Sequence, residues 1–262
     1  PAAGDQLEIR RHRLARSSFM HDFAVTERHV VLFASPVQFD VARTLAGLTT
    51  PVEAIRRDPA ERTQVLVAPR EGGPVRVFDA PTGFFAFHFF GAFEDAGRIV
   101  VHGCRMPDFQ GGTIDLRDAE AIRHANFEPA TPCRWTVDLA SGEVREELFE
   151  TPAMELPTID PRRTTLRQRV GWATVRTPTH RPVYTGLGRV DLDTGAATTR
   201  DFGEDLPGEP IFVPRGADAP EGDGWLLSVS FRAETGKSEL WILDATTLET
   251  VARFGLPHHQ PP

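Results

Sequence analysis

The sequence predicts an all-β protein built as a β-propeller, with short helical insertions. A short motif recurs at a constant interval, and 22 glycines and 22 prolines punctuate 262 residues that show no long amphipathic helix. A hydrophobic fraction of 40% is enough to build a large core in a chain of this length. We therefore expect many short strands joined by turns.

The recurring motif is an apolar strand end followed by Asp, two further residues, then Ser or Thr. It contains Asp138, Asp191 and Asp244, which are 53 residues apart in both intervals, and a looser copy contains Asp79, 59 residues before Asp138. In such turns the Asp side chain caps the backbone, and a following Gly takes a positive φ. A unit of about 50 residues fits a four-stranded blade, so the chain would supply about five blades. A β-sandwich with similar hairpins is the alternative.

Three segments are predicted to depart from this pattern. Residues 115–123 form the best helix candidate, residues 44–62 form an inserted helix or loop, and residues 216–224 form an acidic hairpin loop before a strand at 225–231.

Net charge and composition exclude several classes of binding partner and of structure. The net charge is −8 and the arginines form no stripe, so we expect no nucleic-acid partner. Cys104 and Cys133 are too few for a disulfide framework and are predicted to be buried thiols. No run of 18 apolar residues is present, which predicts a cytoplasmic protein that touches a membrane peripherally at most.

Two of the nine histidines stand in unusual surroundings. His21 lies between a polar segment and an apolar strand, and His88 lies among phenylalanines in residues 84–93. A buried imidazole is either neutral and hydrogen-bonded or bound to a metal, and composition alone leaves both readings open. Because no histidine pair has the spacing of a local zinc site, any metal would be held by residues from distant strands.

Two glutamates occupy equivalent places in the repeat. Glu155 follows Asp138 by 17 residues and Glu209 follows Asp191 by 18, which puts both near the start of the next blade's first strand. A metal-bound histidine commonly donates its free N–H to such a carboxylate. Two exposed edge glutamates are the alternative.

These four positions carry a resemblance to the carotenoid cleavage oxygenases, which include apocarotenoid oxygenases, lignostilbene dioxygenases and the retinal pigment epithelium isomerase. The stretch Met-His-Asp-Phe-Ala-Val-Thr at 20–26 resembles the motif around the second iron-ligand histidine. Residues 87–94 resemble the motif around the third, with Gly91 and Phe93 in place of the usual Asn and Tyr. Residues 154–159 and 209–213 are similar to segments that hold two of the three glutamates behind the ligands.

The resemblance implies Fe(2+) bound by His21 and His88, with Glu155 and Glu209 supporting the ligands. It implies one partial propeller over residues 1–262, truncated at both ends, in a family whose intact propeller has seven blades. The first and fourth ligands would lie outside the chain, and His258 and His259 would only approach the fourth.

The implied activity is that of a non-haem Fe(2+) dioxygenase. It would cleave a conjugated C=C bond of a carotenoid or apocarotenoid with O2 to give two carbonyl products, and this piece alone would be inactive. A lignostilbene-type dioxygenase acting on a phenolic stilbene is one alternative, and a metal-free propeller that serves as a binding module is another. The phenylalanines at 84, 85, 89 and 90 would line a substrate tunnel or fill the core, with core favoured for half of them.

Overall fold

The computed structural model describes residues 9–14, 17–49, 53–107, 129–177 and 183–259. Its strands form four four-stranded antiparallel sheets and one two-stranded sheet. We call the four larger sheets blades 1 to 4 in chain order. Among the described residues, no helix has the length and apolar character needed to cross a membrane.

The strands of each blade follow chain order across the sheet. Blade 1 has β1 (Ala24–Val25), β2 (His29–Ala34), β5 (Gln64–Pro69) and β6 (Arg76–Asp79). Blade 2 has β7 (Phe85–Asp95), β8 (Arg98–Met106), β9 (Thr131–Asp138) and β10 (Val144–Leu148). Blade 3 has β11 (Met154–Ile159), β12 (Val170–Val175), β13 (Gly186–Asp191) and β14 (Ala197–Asp201), with a 3₁₀ turn at Pro161–Arg163 between its first two strands. Blade 4 has β15 (Ile211–Pro214), β16 (Gly224–Arg232), β17 (Lys237–Asp244) and β18 (Thr250–Gly255).

The first strands of the four blades lie next to one another. Strand β1 contacts β7, β7 contacts β11, and β11 contacts β15. One edge of every blade therefore faces its neighbours along a common line, which we call the hub. Residues at the start of a blade are brought together there although they are far apart in sequence.

The repeated Asp turns form as predicted. Asp138 Oδ1 accepts the backbone N–H groups of the second and third residues after it, and Asp191 and Asp244 do the same in blades 3 and 4. Each turn joins the third strand of its blade to the fourth. The residue four positions after each Asp has a positive φ: 82° at Gly142, 77° at Gly195 and 61° at Leu248.

The looser copy at Asp79 was wrongly assigned. Asp79 ends β6, the fourth strand of blade 1, so the chain must leave the sheet there rather than turn back within it. The same turn-forming residues serve a connection to blade 2. The expectation of about five blades is also corrected, because the described residues form four blades and the long connections after β2 and β8 use the remaining length.

The connection between β2 and β5 is an insertion of mixed structure. It contains β3 (Val37–Phe39), helix α1 (Val41–Leu45) and β4 (Ile55–Arg57), so the predicted helix or loop at 44–62 includes the end of a helix and a short strand. The predicted loop at 216–224 and the strand at 225–231 are confirmed. The predicted helix at 115–123 lies outside the described residues.

Three apolar cores lie between successive blades, because alternate residues of each strand face opposite neighbours. Phe84 and Phe89 belong to the core between blades 1 and 2, whereas Phe85 and Phe90 belong to the core between blades 2 and 3. All four rings are buried, so the core reading holds for all of them rather than for half. Cys104 and Cys133 are buried free thiols, as predicted.

Candidate metal site at the hub

Adjacent blades bring the two predicted imidazoles together at the hub. His21 lies just before β1 and His88 lies within β7, and their ring centroids are 5.2 Å apart with planes at 87°. The Phe87 ring also meets His21 edge-on, at 5.2 Å. The side chain of His88 is 31% exposed, and His21 is exposed in this chain. The site is therefore open on the side of His21.

Backbone irregularities aim His88 and Glu155 at each other. Pairing of β7 with β8 shifts register between Ala86 and Phe89, on either side of His88. Pairing of β11 with β12 shifts between Glu155 and Thr158, where Leu156 has a φ of 54°. A β-bulge turns side chains out of the regular alternation and commonly occurs at functional sites.

The resulting hydrogen bond fixes the His88 ring. Its Nδ1–H donates to Glu155 Oε2 over 2.7 Å, and the same oxygen accepts the backbone N–H of Leu156 over 2.8 Å. With the proton held on Nδ1, the lone pair of Nε2 is free for a metal ion. The other oxygen, Glu155 Oε1, is buried without a hydrogen-bond partner among the described residues.

The Glu155 carboxylate lies in a region of low polarity. Burial raises the pKa of the Cys104 thiol and that of the Tyr184 hydroxyl, and the charge of Glu155 raises both pKa values further. Both groups stay protonated near neutral pH. Neither the thiol nor the hydroxyl therefore adds a negative charge beside Glu155.

Negative charge surrounds His88. The hydrogen bond to Glu155 raises the pKa of His88, burial opposes the rise, and the charges of Glu155, Asp22 and Glu209 add to it. A potential that favours a proton on the imidazole also favours a bound cation. The surroundings of His88 thus fit a divalent metal.

Glu209 differs from Glu155. It lies two residues before β15, its side chain is exposed, and no hydrogen bond or ion pair of it occurs within the described residues. Its charge reaches His88 all the same. Its role as a support for a ligand stays a prediction, as do the roles of the other three site residues.

The described residues supply only part of a metal site. They contain no cluster of three or more His, Cys, Asp or Glu side chains arranged to hold a metal ion. The two imidazoles at the hub, one of them fixed by a carboxylate, have the donor chemistry that suits a redox-active metal such as iron. His258 and His259 are exposed, and His259 packs against Phe231 in blade 4.

Comparison with known proteins decides the family. Residues 2–262 match the family model described as retinal pigment epithelial membrane protein. The chain belongs to this family.

Curated relatives in the retinal pigment epithelial membrane protein family include several oxygenases. The apocarotenoid-15,15'-oxygenase of Synechocystis is 31% identical over 248 residues, covering 93% of this chain and 50% of the relative. Isoeugenol monooxygenase of Pseudomonas putida is 31% identical, with 92% and 52% covered. Lignostilbene-alpha,beta-dioxygenase isozyme III of Sphingomonas paucimobilis is 29% identical, with 91% and 52% covered. The chain spans about half the length of the relatives it matches.

A solved structure of the family has the same fold. Cobalt-substituted Synechocystis apocarotenoid oxygenase aligns with a TM-score of 0.85 at 29% identity, covering 94% of this chain and 52% of that chain. The prediction of a mostly β propeller of this family is confirmed, with four blades over the described residues.

Sequence reasoning missed the polar contacts that join blades 1 and 2 beside His21 and His88. Asp22 accepts the backbone N–H of Phe89, and Glu94 accepts hydrogen bonds from Thr26, Arg28 and His29. All four contacts link residues 20–29 to β7. One signal could have revealed them: Asp22 and Glu94 are acidic residues inside the two apolar segments that resemble the family motifs.

Glu94 is expected to stabilise the fold above mildly acidic pH. Burial of this carboxylate opposes ionisation, but hydrogen bonds from Arg28, Thr26 and His29 outweigh burial and lower the pKa to about 2 from 4.5. A carboxylate with a depressed folded pKa contributes fully above its unfolded pKa and loses the contribution as pH falls from about 4.5 to about 2. Because Arg28 is largely exposed, we expect Glu94→Gln to cost about 1–2 kcal/mol at pH 7.

Thermal unfolding of both forms at pH 7 and pH 3 measures this contribution. The gap between Glu94→Gln and the unsubstituted protein should be smaller at pH 3. An equal gap at both values would contradict the assignment.

Proposed function

We propose that the protein to which this chain belongs is a non-haem Fe(2+) dioxygenase that cleaves a conjugated C=C bond of a carotenoid or apocarotenoid. The observation that carries the proposal is the pairing of His21 with His88 at the hub, with Glu155 bonded to His88 Nδ1. Similarity to several oxygenases over more than nine-tenths of the chain supports it.

The protein residues position the metal and the substrate. Bound Fe(2+) would supply the O2 chemistry, which zinc cannot because it does not change oxidation state. His21 and His88 would each offer one imidazole nitrogen. Glu155 keeps the His88 proton on Nδ1 and offsets part of the metal's charge. Phe87, which packs on His21, keeps an apolar surface beside the imidazoles.

The overall reaction balances without another reactant. The substrate R–CH=CH–R' takes up one O2, the C=C bond breaks, and each carbon receives one oxygen atom to give R–CHO and R'–CHO. No proton is consumed or released. Ligands that would complete the metal site are not among the described residues, so we expect this chain alone to bind iron poorly and to be inactive.

Two other functions remain as alternatives. A lignostilbene-type dioxygenase would cleave a phenolic stilbene by the same balance, and the relative from Sphingomonas paucimobilis favours it. A metal-free propeller that acts as a binding module would need no iron at the hub.

Product analysis separates these functions. The full-length protein with Fe(2+) is incubated with an apocarotenal or a hydroxystilbene under isotopically labelled O2, and the carbonyl products are identified. We expect two aldehydes from the apocarotenal, each carrying label. Cleavage of the stilbene alone would establish the lignostilbene alternative, and label in a single product would contradict a dioxygenase. If neither substrate is cleaved and no iron is bound, the result would favour the metal-free binding module.

An exposed apolar stripe offers a contact for the membranes in which such substrates dissolve. Helix α1 buries none of its residues, and Val41, Leu45 and Leu48 expose 53%, 84% and 69% of their surface. Val41 and Leu45 are four residues apart and share one face of the helix, and Leu48 lies in the turn just beyond it. We propose that this stripe touches a lipid surface peripherally.

Co-sedimentation with vesicles of phosphatidylcholine and phosphatidylglycerol tests the contact. The double substitution Leu45→Ser and Leu48→Ser should reduce the vesicle partition coefficient by at least about 100-fold, since it removes about 1.5–3 kcal/mol of apolar burial per side chain. Leu148→Ser, at an exposed position of an outer strand, is the matched control and should bind normally. Equal loss in both variants would place the contact elsewhere.

A further inference from the structure

His21 lies outside regular structure, so other contacts must hold it. Upstream, the Phe19 N–H donates to the Val37 carbonyl over 2.8 Å, and Ser35 Oγ donates to the Phe19 carbonyl over 2.9 Å. Strand β1 begins only at Ala24. Between these anchors, residues 20–23 have no backbone pairing with β7 among the described residues.

Asp22 spans that gap. Its Oδ2 accepts the backbone N–H of Phe89 over 3.3 Å, and its Oδ1 accepts the backbone N–H of Phe23 over 2.7 Å. Asp22 directly follows His21 in sequence, and Phe89 directly follows His88. Within the described residues this is the one hydrogen bond that joins segment 20–23 to β7.

The backbone N–H of Phe89 donates to Asp22 and not to a neighbouring strand of blade 2. Strand β7 is the inner edge of blade 2, so backbone groups on its outer side must bond elsewhere. The register shifts on both sides of Phe89 free the backbone further. A carboxylate that accepts this N–H fixes the bulge that orients His88.

We infer that Asp22 is a positioning residue that sets the separation and mutual angle of the His21 and His88 imidazoles. The inference rests on the proposed iron site. Both carboxylate oxygens of Asp22 accept backbone N–H groups, so we assign it no role as a metal ligand. It acts through the two histidines, by tying the backbone beside one to the backbone beside the other.

Glu94 provides the matched comparison. Its carboxylate also ties residues 26–29 of blade 1 to β7, through hydrogen bonds of 2.6–3.1 Å. It lies six residues beyond His88, roughly 20 Å along the strand. Loss of Glu94 should weaken the same blade contact without moving the imidazoles.

The experiment uses the full-length protein with Asp22→Ala, Asp22→Asn and Glu94→Gln, and with His88→Asn as the reference for loss of a ligand. The readouts are Fe(2+) affinity by competition with a coloured chelator, the visible absorption spectrum after Co(2+) substitution, and the thermal unfolding midpoint. The first two report ligand geometry, whereas the midpoint reports stability.

Asp22→Ala should lower Fe(2+) affinity about 10–100-fold, as loss of a supporting contact does, and should alter the Co(2+) spectrum. Asp22→Asn keeps one oxygen acceptor and should recover most of the affinity. Glu94→Gln should lower the midpoint but leave affinity and spectrum unchanged.

Three results would overturn the inference. Unchanged affinity and spectrum in Asp22→Ala, with normal His88-dependent iron binding in the unsubstituted protein, would overturn it alone. Absence of His88-dependent iron binding in the unsubstituted protein would overturn the proposed function and this inference together. An equal loss of affinity in Glu94→Gln would also reject it, because the effect would then come from the blade contact in general.

Discussion

Replacing His88 with asparagine is expected to abolish iron binding and O2-dependent cleavage by the full-length protein. The Asn amide can still donate to Glu155 from nearly the position of Nδ1, so the buried carboxylate keeps a partner. The nitrogen that would bind the metal is lost. We expect Fe(2+) affinity to fall by more than about 100-fold, beyond the effect of losing a mere supporting contact.

His258→Ala is the control for this experiment, because His258 is an exposed histidine that we do not assign to the metal. Iron content and chelator competition should distinguish the two variants, and unfolding of the metal-free forms should show similar stability for both. Full iron binding by His88→Asn would favour the metal-free binding module. Loss of iron in His258→Ala would show that a ligand had been misassigned.

The local features of the fold could be predicted from the sequence. The Asp side-chain hydrogen bonds in each turn span three residues or fewer, so the motif at Asp138, Asp191 and Asp244 holds both partners of these bonds. Asp79 shows the limit of this reasoning. A similar sequence there ends the last strand of blade 1. The position of a strand in its sheet depends on pairing with residues far away in the sequence, which a short motif does not encode.

The candidate site was predictable only in part, for the same physical reason. The offsets of Glu155 and Glu209 from the turns, 17 and 18 residues, place both near the hub, yet one is buried against His88 and the other is exposed. Which carboxylate meets an imidazole depends on bulges in β7 and β11. A bulge leaves little trace in a sequence, because it needs no particular residue; at Leu156 a leucine takes the positive φ.

The contacts of Asp22 and Glu94 were invisible for a different reason. They link residues 65 to 68 positions apart, across two blades, and an acidic residue near a strand end is ordinary when taken alone. The three-dimensional structure shows that residues 20–26 and 87–94 are held together at both ends. The two motif segments, residues 20–26 and 87–94, therefore contain the histidines and also the polar residues that hold the segments together.

The blades depend on large buried rings, and Trp172→Ala is expected to destabilise the described fold strongly. Trp172 is fully buried, stacks on Phe212 of blade 4 with centroids 4.4 Å apart, and donates its indole N–H to the Ala245 carbonyl over 2.7 Å. Removing the ring from such a core typically costs about 3–5 kcal/mol. Trp172→Phe is the matched control, since it can keep the stacking and loses mainly the hydrogen bond, at about 1–3 kcal/mol.

Thermal and denaturant unfolding of both Trp172 variants measure the difference. Because Trp172 faces blade 4 and the imidazoles lie between blades 1 and 2, Trp172→Phe should retain normal Fe(2+) affinity. Equal destabilisation by Phe and Ala would show that the hydrogen bond to Ala245, rather than the stacked ring, holds blades 3 and 4 together. Loss of iron affinity in a folded Trp172→Phe protein would show instead that packing between blades 3 and 4 affects the positions of the imidazoles at the hub. Because each blade contacts the next, this pair of measurements separates local packing between blades 3 and 4 from coupling along the row of blades.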